Sequence, residues 1–212
     1  MHIIDYFQSY IHYLIHPYKT HDAFMGKETG LGYKPHKMSV YESLGASWIF
    51  IVINGIVKIF LINFVIFAFL KISDIGPKIF SSLSNEDGFI GFYFIILSTI
   101  LDIIFYPLFV LFLIQFWEFI IKIFARLLGH VENVDEKARS IMTVALSSHI
   151  FVIVPILGSL AQKLSAMILM YAGLRKQLNA SPALSICIML VPILLFIMLF
   201  SLVMLIMVMR LQ

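Results

Sequence analysis

Residues 183–209 carry no charged side chain, and residues 89–114 carry only Asp102. A third apolar run, residues 46–70, is interrupted by Asn54, Gly55, Lys58 and Asn63. At 1.5 Å per helical residue, each run exceeds the ~30 Å hydrocarbon core of a bilayer. A backbone inside that core must satisfy its own hydrogen bonds, and an unbroken apolar run does so as a helix. The rest of the chain cannot offset these runs. Charged residues make up 13% and hydrophobic residues 61%, against ~25% and ~45–50% in soluble domains. Such a chain is not a secreted domain, a nucleic-acid-binding module or a disordered segment. It reads as an all-α, polytopic integral membrane bundle.

The sequence divides at about residue 45. Residues 1–45 form an N-terminal region, and residues 46–212 form the transmembrane domain. No cleavable signal peptide is expected in residues 1–18, because Lys19 is the first Lys or Arg and Asp5 and Gln8 interrupt any apolar core. Ile4, Phe7, Ile11 and Leu14 recur at helical spacing, so residues 2–16 read as an amphipathic helix. Tyr6, Tyr10, Tyr13 and Tyr18 suit a membrane interface. Residues 17–45 hold Pro17, Gly26, Gly30, Gly32 and Pro35, the composition of an aqueous loop.

About five spans follow: 46–70, 89–112 with an extension to 128, 140–157, 160–174 and 183–209. The loop at 71–88 contains Asp74, Gly76, Pro77, Glu86, Asp87 and Gly88. Pro107 marks a candidate kink in the second span. Gln115, Glu118, Lys122 and Arg126 draw one polar stripe along its extension, expected at the interface. Glu118 and Lys122 are also a favourable i,i+4 pair. Pro155, Gly158 and Ser159 turn the third span tightly into the fourth. With a cytoplasmic N-terminus, ten of the fifteen Lys and Arg fall inside. The positive-inside rule therefore places the C-terminus outside.

The chemistry-bearing candidates lie within the spans. Asp102 is the one acidic residue deep in a run, and Ser98 and Thr99 sit one turn before it. Lys58, with Asn54 one turn away, is its candidate counter-ion. An intramembrane carboxylate usually faces a cavity or the protein interior. These residues read either as a polar path or as a structural clasp. His149, after Ser147 and Ser148, reads as a proton shuttle or as one interhelical hydrogen bond. His12 and His16 stand at i,i+4, but no Cys, Asp or Glu completes a zinc site. Cys187, the single cysteine, reads as an inert apolar thiol. Met189, Met198, Met204, Met207 and Met209 read as lipid-facing filler. No nucleotide, nucleophile or metalloprotease motif is present, so neither an enzyme nor a cofactor is expected.

Residues 125–196 resemble the Yip domain family of Rab-GTPase-interacting-protein relatives. The resemblance rests on Leu127-Leu128-Gly129 before a polar loop, Arg139 opening a short span, and Pro155 with Gly158 at a tight turn. Tyr171-Ala172-Gly173-Leu174 ends the next span, and Ser181 and Ala183 open the last. Residues 16–24, from His16-Pro17 to Phe24, resemble the Pro…Phe element that precedes the first span in bacterial members. The resemblance implies five spans, a cytoplasmic N-terminus and a non-enzymatic scaffold or complex-subunit role. Its partners would be membrane lipids, other integral membrane proteins or further copies of itself, and no nucleic acid. The short N-terminal region points to a prokaryotic plasma (inner) membrane. The alternative is a transport-class protein that moves a lipid headgroup, ion or proton along the intramembrane polar set.

Overall fold

A computed structural model describes residues 3–30, 35–72, 86–129, 132–155 and 157–211. All regular structure among them is helical: α1 (Ile3–Ile15), α2 (Pro17–Phe24), α3 (Val40–Ile72), α4 (Glu86–Leu127), α5 (Val134–Leu146), a 3₁₀ helix (Ser147–Ile153), α6 (Gly158–Gln177) and α7 (Pro182–Leu211). Most of the loop expected at 71–88 lies outside the described residues, with Asp74, Gly76 and Pro77. Gly32 also lies outside them.

Local chemistry sets the helix ends. Pro17 stands at the first position of α2, where its fixed φ suits a helix and its missing N–H costs nothing. The segment expected to be a loop therefore begins with a helix. Ser39 caps α3: its Oγ accepts from the Glu42 N–H (3.2 Å), and Glu42 Oε2 accepts from the Ser39 N–H (2.7 Å). This reciprocal pair is a capping box. The other carboxylate oxygen of Glu42 accepts from the Tyr6 hydroxyl at 2.9 Å, which ties α1 to the start of α3. Beyond α4 the chain turns at Gly129, whose φ of +78° suits a residue without a Cβ. Asp135 and Glu136 sit in the first turn of α5, where the helix dipole favours acids. Ser181 and Pro182 open α7, with Ser181 Oγ accepting from the Leu184 N–H at 3.3 Å.

Helix α5 is the centre of the bundle. Val134, Ala138 and every residue from Ser140 to Leu146 are buried. One core packs Ile141 and Met142 against Ile114, Ile121 and Ala125 of α4 and Leu174 of α6. A second packs Val144 and Ala145 against Tyr10, Tyr13, Phe50 and Leu169. Ala138, Ser140, Thr143 and Ala145 keep this helix thin enough for α3, α4 and α6 to close on it.

Helix α1 turns opposite to a soluble amphipathic helix. Phe7, Ile11 and Ile15 face outward, while Ser9, Tyr10 and Tyr13 are buried. Tyr10 donates to a backbone carbonyl, with Ser43 O at 3.2 Å and Leu146 O at 3.0 Å. The Tyr13 hydroxyl donates to the His36 carbonyl. Tyr10 and Tyr13 thus anchor α1 into the protein and leave Phe7, Ile11 and Ile15 exposed.

Among the described residues, three helical segments are long and apolar enough to cross a membrane: Val40–Val65, Tyr93–Leu127 and Pro182–Arg210. The other two expected spans correspond to α5 with the 3₁₀ helix, and to α6. Both are shorter and less apolar. Past Pro192, residues 193–210 of α7 are exposed on every face, including Met198, Met204, Met207 and Met209.

Pro107 lies inside α4 without ending it. It supplies no N–H to the carbonyl of Ile103, four residues earlier. The indole N–H of Trp48 on α3 donates to that carbonyl instead, at 2.9 Å. In lipid such a carbonyl needs a partner. Trp48→Phe should therefore cost about 1–3 kcal/mol. The same change should cost much less beside Pro107→Ala, which returns a backbone N–H to the helix. Detergent unfolding of the four proteins checks this; equal costs in both backgrounds would contradict it.

Candidate functional site

Gly55 lets α3 and α4 approach closely. A Cβ built there would lie 2.6 Å from Ile103 Cδ1 and 3.2 Å from Thr99 Cγ2. Around this crossing the two helices and the turn between α5 and α6 enclose a groove of about 610 Å³. Asn54 and Lys58 line it from α3, and Thr99, Asp102, Phe105, Tyr106 and Phe109 from α4. His149, Val152, Val154, Ser159 and Gln162 complete it.

Five of the six intramembrane candidates thus meet in one groove. Ser98 does not line it; its hydroxyl donates back to the Ile95 carbonyl at 2.9 Å. Thr99 lines the groove but also bonds Ile95 O, at 2.8 Å. Lys58 and Asp102 are both exposed to the groove or its surroundings, and they form no ion pair with each other.

His149 is oriented by its own helix turn. Its Nδ1 lies 3.0 Å from the Leu146 carbonyl, which can only accept, so Nδ1 carries the proton. Nε2 then presents its lone pair to the Gln162 side-chain amide at 3.5 Å. Tyr106 packs edge-on against the ring, with centroids 5.5 Å apart. Gln162, Ser159 and Tyr106 are not among the site candidates that the sequence singles out. Gln162 stands just inside the start of its expected short span, and polarity inside a span is the signal that points to it.

The polar stripe takes another position. Glu118 is buried, not at an open interface. Its oxygens lie 3.6 Å from Lys122 Nζ and 3.6 Å from Arg139 Nε on α5. Lys122 also reaches Asp135 at 2.7 Å, and that hydrogen bond holds the Asp135 carboxyl below its ordinary range. Gln115 and Glu118 line a second cavity of about 500 Å³ with Lys37, Glu136 and Arg139; Lys37 pairs with Glu136. Arg126 is exposed and is not part of that lining. The stripe serves as the joint between α4 and α5.

The N-terminal histidines also separate. His12 and His16 have ring centroids 5.3 Å apart. His21 is fully buried against α6, and Gln177 Nε2 donates to its Nδ1 (2.8 Å) and to Ser140 Oγ (2.9 Å). Beside it, Lys176 and Asp22 form a 2.7 Å pair. Burial pushes the His21 imidazole down to about 4, while the Leu169 carbonyl and Asp22 oppose that shift. The folded pKa lies below the unfolded value of ~6.5, so the unfolded chain binds the extra proton. The resulting stability is whole above pH ~6.5 and is lost as pH falls toward 4. The full difference is about 3 kcal/mol. Unfolding in detergent at pH 7 and pH 4.5 should show this loss, and His21→Asn should flatten it. An unchanged slope in the variant would refute the assignment.

Together these features define an all-α protein with, among the described residues, three helices suited to cross a membrane and a polar groove beside two of them. No protein-family model, curated protein or solved structure matches the chain.

Proposed function

We propose that this is a non-enzymatic integral membrane protein that admits a lipid headgroup to the groove between α3, α4 and the α5–α6 turn. The observation that carries the reading is the unpaired placement of Lys58 and Asp102 in one groove. Both stand well inside candidate spans, where a charge costs about 2.5–3.5 kcal/mol on insertion scales. A clasp would join the two side chains directly. A polar guest between them offsets the same cost and leaves room for exchange. The transport-class reading therefore ranks above a pure scaffold.

A phospholipid with a photoactivatable group on its headgroup provides the test. In membranes containing the full chain, it should label residues lining the groove, such as Asn54, Phe105 and Gln162. Labelling confined to residues 193–210 would overturn the proposal. That outcome would favour the Yip-like scaffold reading, for which the fully exposed outer half of α7 offers a surface to other membrane proteins.

The reading includes five crossings in a prokaryotic plasma membrane, with the N-terminus inside and the C-terminus outside. Within the expected third span, residues 140–153 rise roughly 25 Å, and α6 rises roughly 30 Å, so each reaches across most of a ~30 Å bilayer core. Ser140, Thr143, Ser147 and Ser148 are turned into the bundle, while the charged side chains of Asp135, Glu136 and Arg139 are exposed at the start of α5. Leu157, exposed at the turn, distinguishes five crossings from three. Leu157→Cys in a Cys187→Ala background should react with an impermeant maleimide from outside. Reaction only after permeabilisation would leave three crossings.

A further inference from the structure

We infer that the groove selects a zwitterionic phospholipid, with Lys58 receiving the phosphate and Asp102 the ammonium group. This inference rests on the headgroup reading above and adds the chemistry of the guest. The groove holds one basic and one acidic side chain, on facing helices, and neither is bonded to the other. A purely anionic headgroup would gain from Lys58 and be repelled by Asp102. A headgroup carrying both charges a few ångströms apart satisfies both.

The lining around each charge supports the same orientation. Phe105 and Phe109 lie on the α4 side, within two turns of Asp102. Aromatic faces attract an ammonium group and more so when water is excluded, and they offer nothing to a phosphate. Asn54, one turn before Lys58, adds amide N–H donors for phosphate oxygens on the α3 side. Gln162 brings a further amide from α6. Phe105 and Phe109 are also more than half exposed, so the groove opens toward acyl chains. A lipid can therefore leave its tails outside while its headgroup enters.

Native mass spectrometry of the full chain in detergent, with defined lipids added, tests the inference. The probes are phosphatidylethanolamine, phosphatidylcholine and phosphatidylglycerol with identical acyl chains. The wild type should retain the two zwitterionic lipids about tenfold better than phosphatidylglycerol. Asp102→Asn should bring that ratio close to one while lipid binding persists, and Asp102→Glu should restore it. Lys58→Gln should weaken all three lipids. Equal retention of all three by the wild type, or an unchanged ratio in Asp102→Asn, would overturn the inference and leave headgroup binding standing. Retention of no lipid would instead remove the headgroup reading itself. Displacement of bound lipid by equimolar free phosphoethanolamine would assign the site to a soluble zwitterion and overturn the lipid assignment. Thermal unfolding identifies any variant that fails to fold, and Asp102→Glu keeps the test decisive in that case.

Discussion

Gly158→Ala is expected to lower stability by about 3 kcal/mol, a fall of order 10 °C in the unfolding temperature of a chain this size. A Cβ at this position would run into the Phe151 carbonyl oxygen and stand 3.2 Å from that of Val152. Both obstacles are backbone, so no side chain can swing aside. The Phe151 oxygen is also held in place, because it accepts the Val154 N–H at 3.0 Å. Moving it breaks the bond that ends the 3₁₀ helix. The disturbance would enter the groove, since Val152, Val154 and Ser159 are neighbours of the clash and line its wall. Gly45→Ala provides the control. It lies on α3 with nothing within 4 Å of the added Cβ, so it should gain up to about 1 kcal/mol from helix propensity. Equal effects at the two glycines would show that the turn is not tightly packed.

The importance of Gly158 is partly legible in the sequence. Pro155, Gly158 and Ser159 mark a tight turn, but no residue pattern there states that a 3₁₀ helix leads into it. A 3₁₀ segment rises further per residue than an α-helix, and the residue types here do not decide between the two. The three longest helices are legible for the opposite reason. Their apolar character requires no partner to interpret: the ends of α4 and α7 fall within three residues of the expected limits, whereas α3 begins at Val40, six residues earlier than expected and within the segment read as loop. Residues 17–24 read as loop because their polar composition outweighs Pro17, whose place at a helix start is a weaker signal. The capping box of Ser39 and Glu42 has a readable spacing, yet the apolar run that it introduces begins only at residue 46.

The groove shows a similar division. Lys58, Asp102 and His149 stand out because charged and titratable groups are rare within apolar runs. Gln162 and Tyr106 do not, since a neutral side chain becomes part of a site only through its neighbours. Helix α1 is legible as amphipathic, but which face turns inward is not. The tyrosines turn inward because their hydroxyls reach backbone carbonyls there, and Phe7 and Ile11 are left exposed.

The polar stripe of α4 leads to the second large effect. Lys122→Met together with Arg139→Met should destabilise the protein by about 3–5 kcal/mol, because Glu118 would remain buried with neither cation. Each single change should cost far less. Arg139 is 64% exposed at its side chain, so its pair with Glu118 is well screened, and exposed pairs contribute about 1 kcal/mol or less. With Lys122 replaced, Glu118 still has Arg139; with Arg139 replaced, it still has Lys122. The loss becomes large only when both cations are gone, which makes the two changes strongly non-additive. Glu118→Leu should recover much of the loss in the doubly substituted protein. An apolar side chain there meets Ile121 and Ile114 of the adjoining core, at little cost in desolvation. Unfolding of the single, double and triple variants in one detergent gives the complete cycle. Additive single effects, or a triple variant no more stable than the double, would show that Glu118 does not depend on its cations. A recovered triple variant identifies the charges as a joint between α4 and α5. Lipid retention by that variant should then equal that of the wild type, because the joint lies outside the groove that holds Lys58 and Asp102.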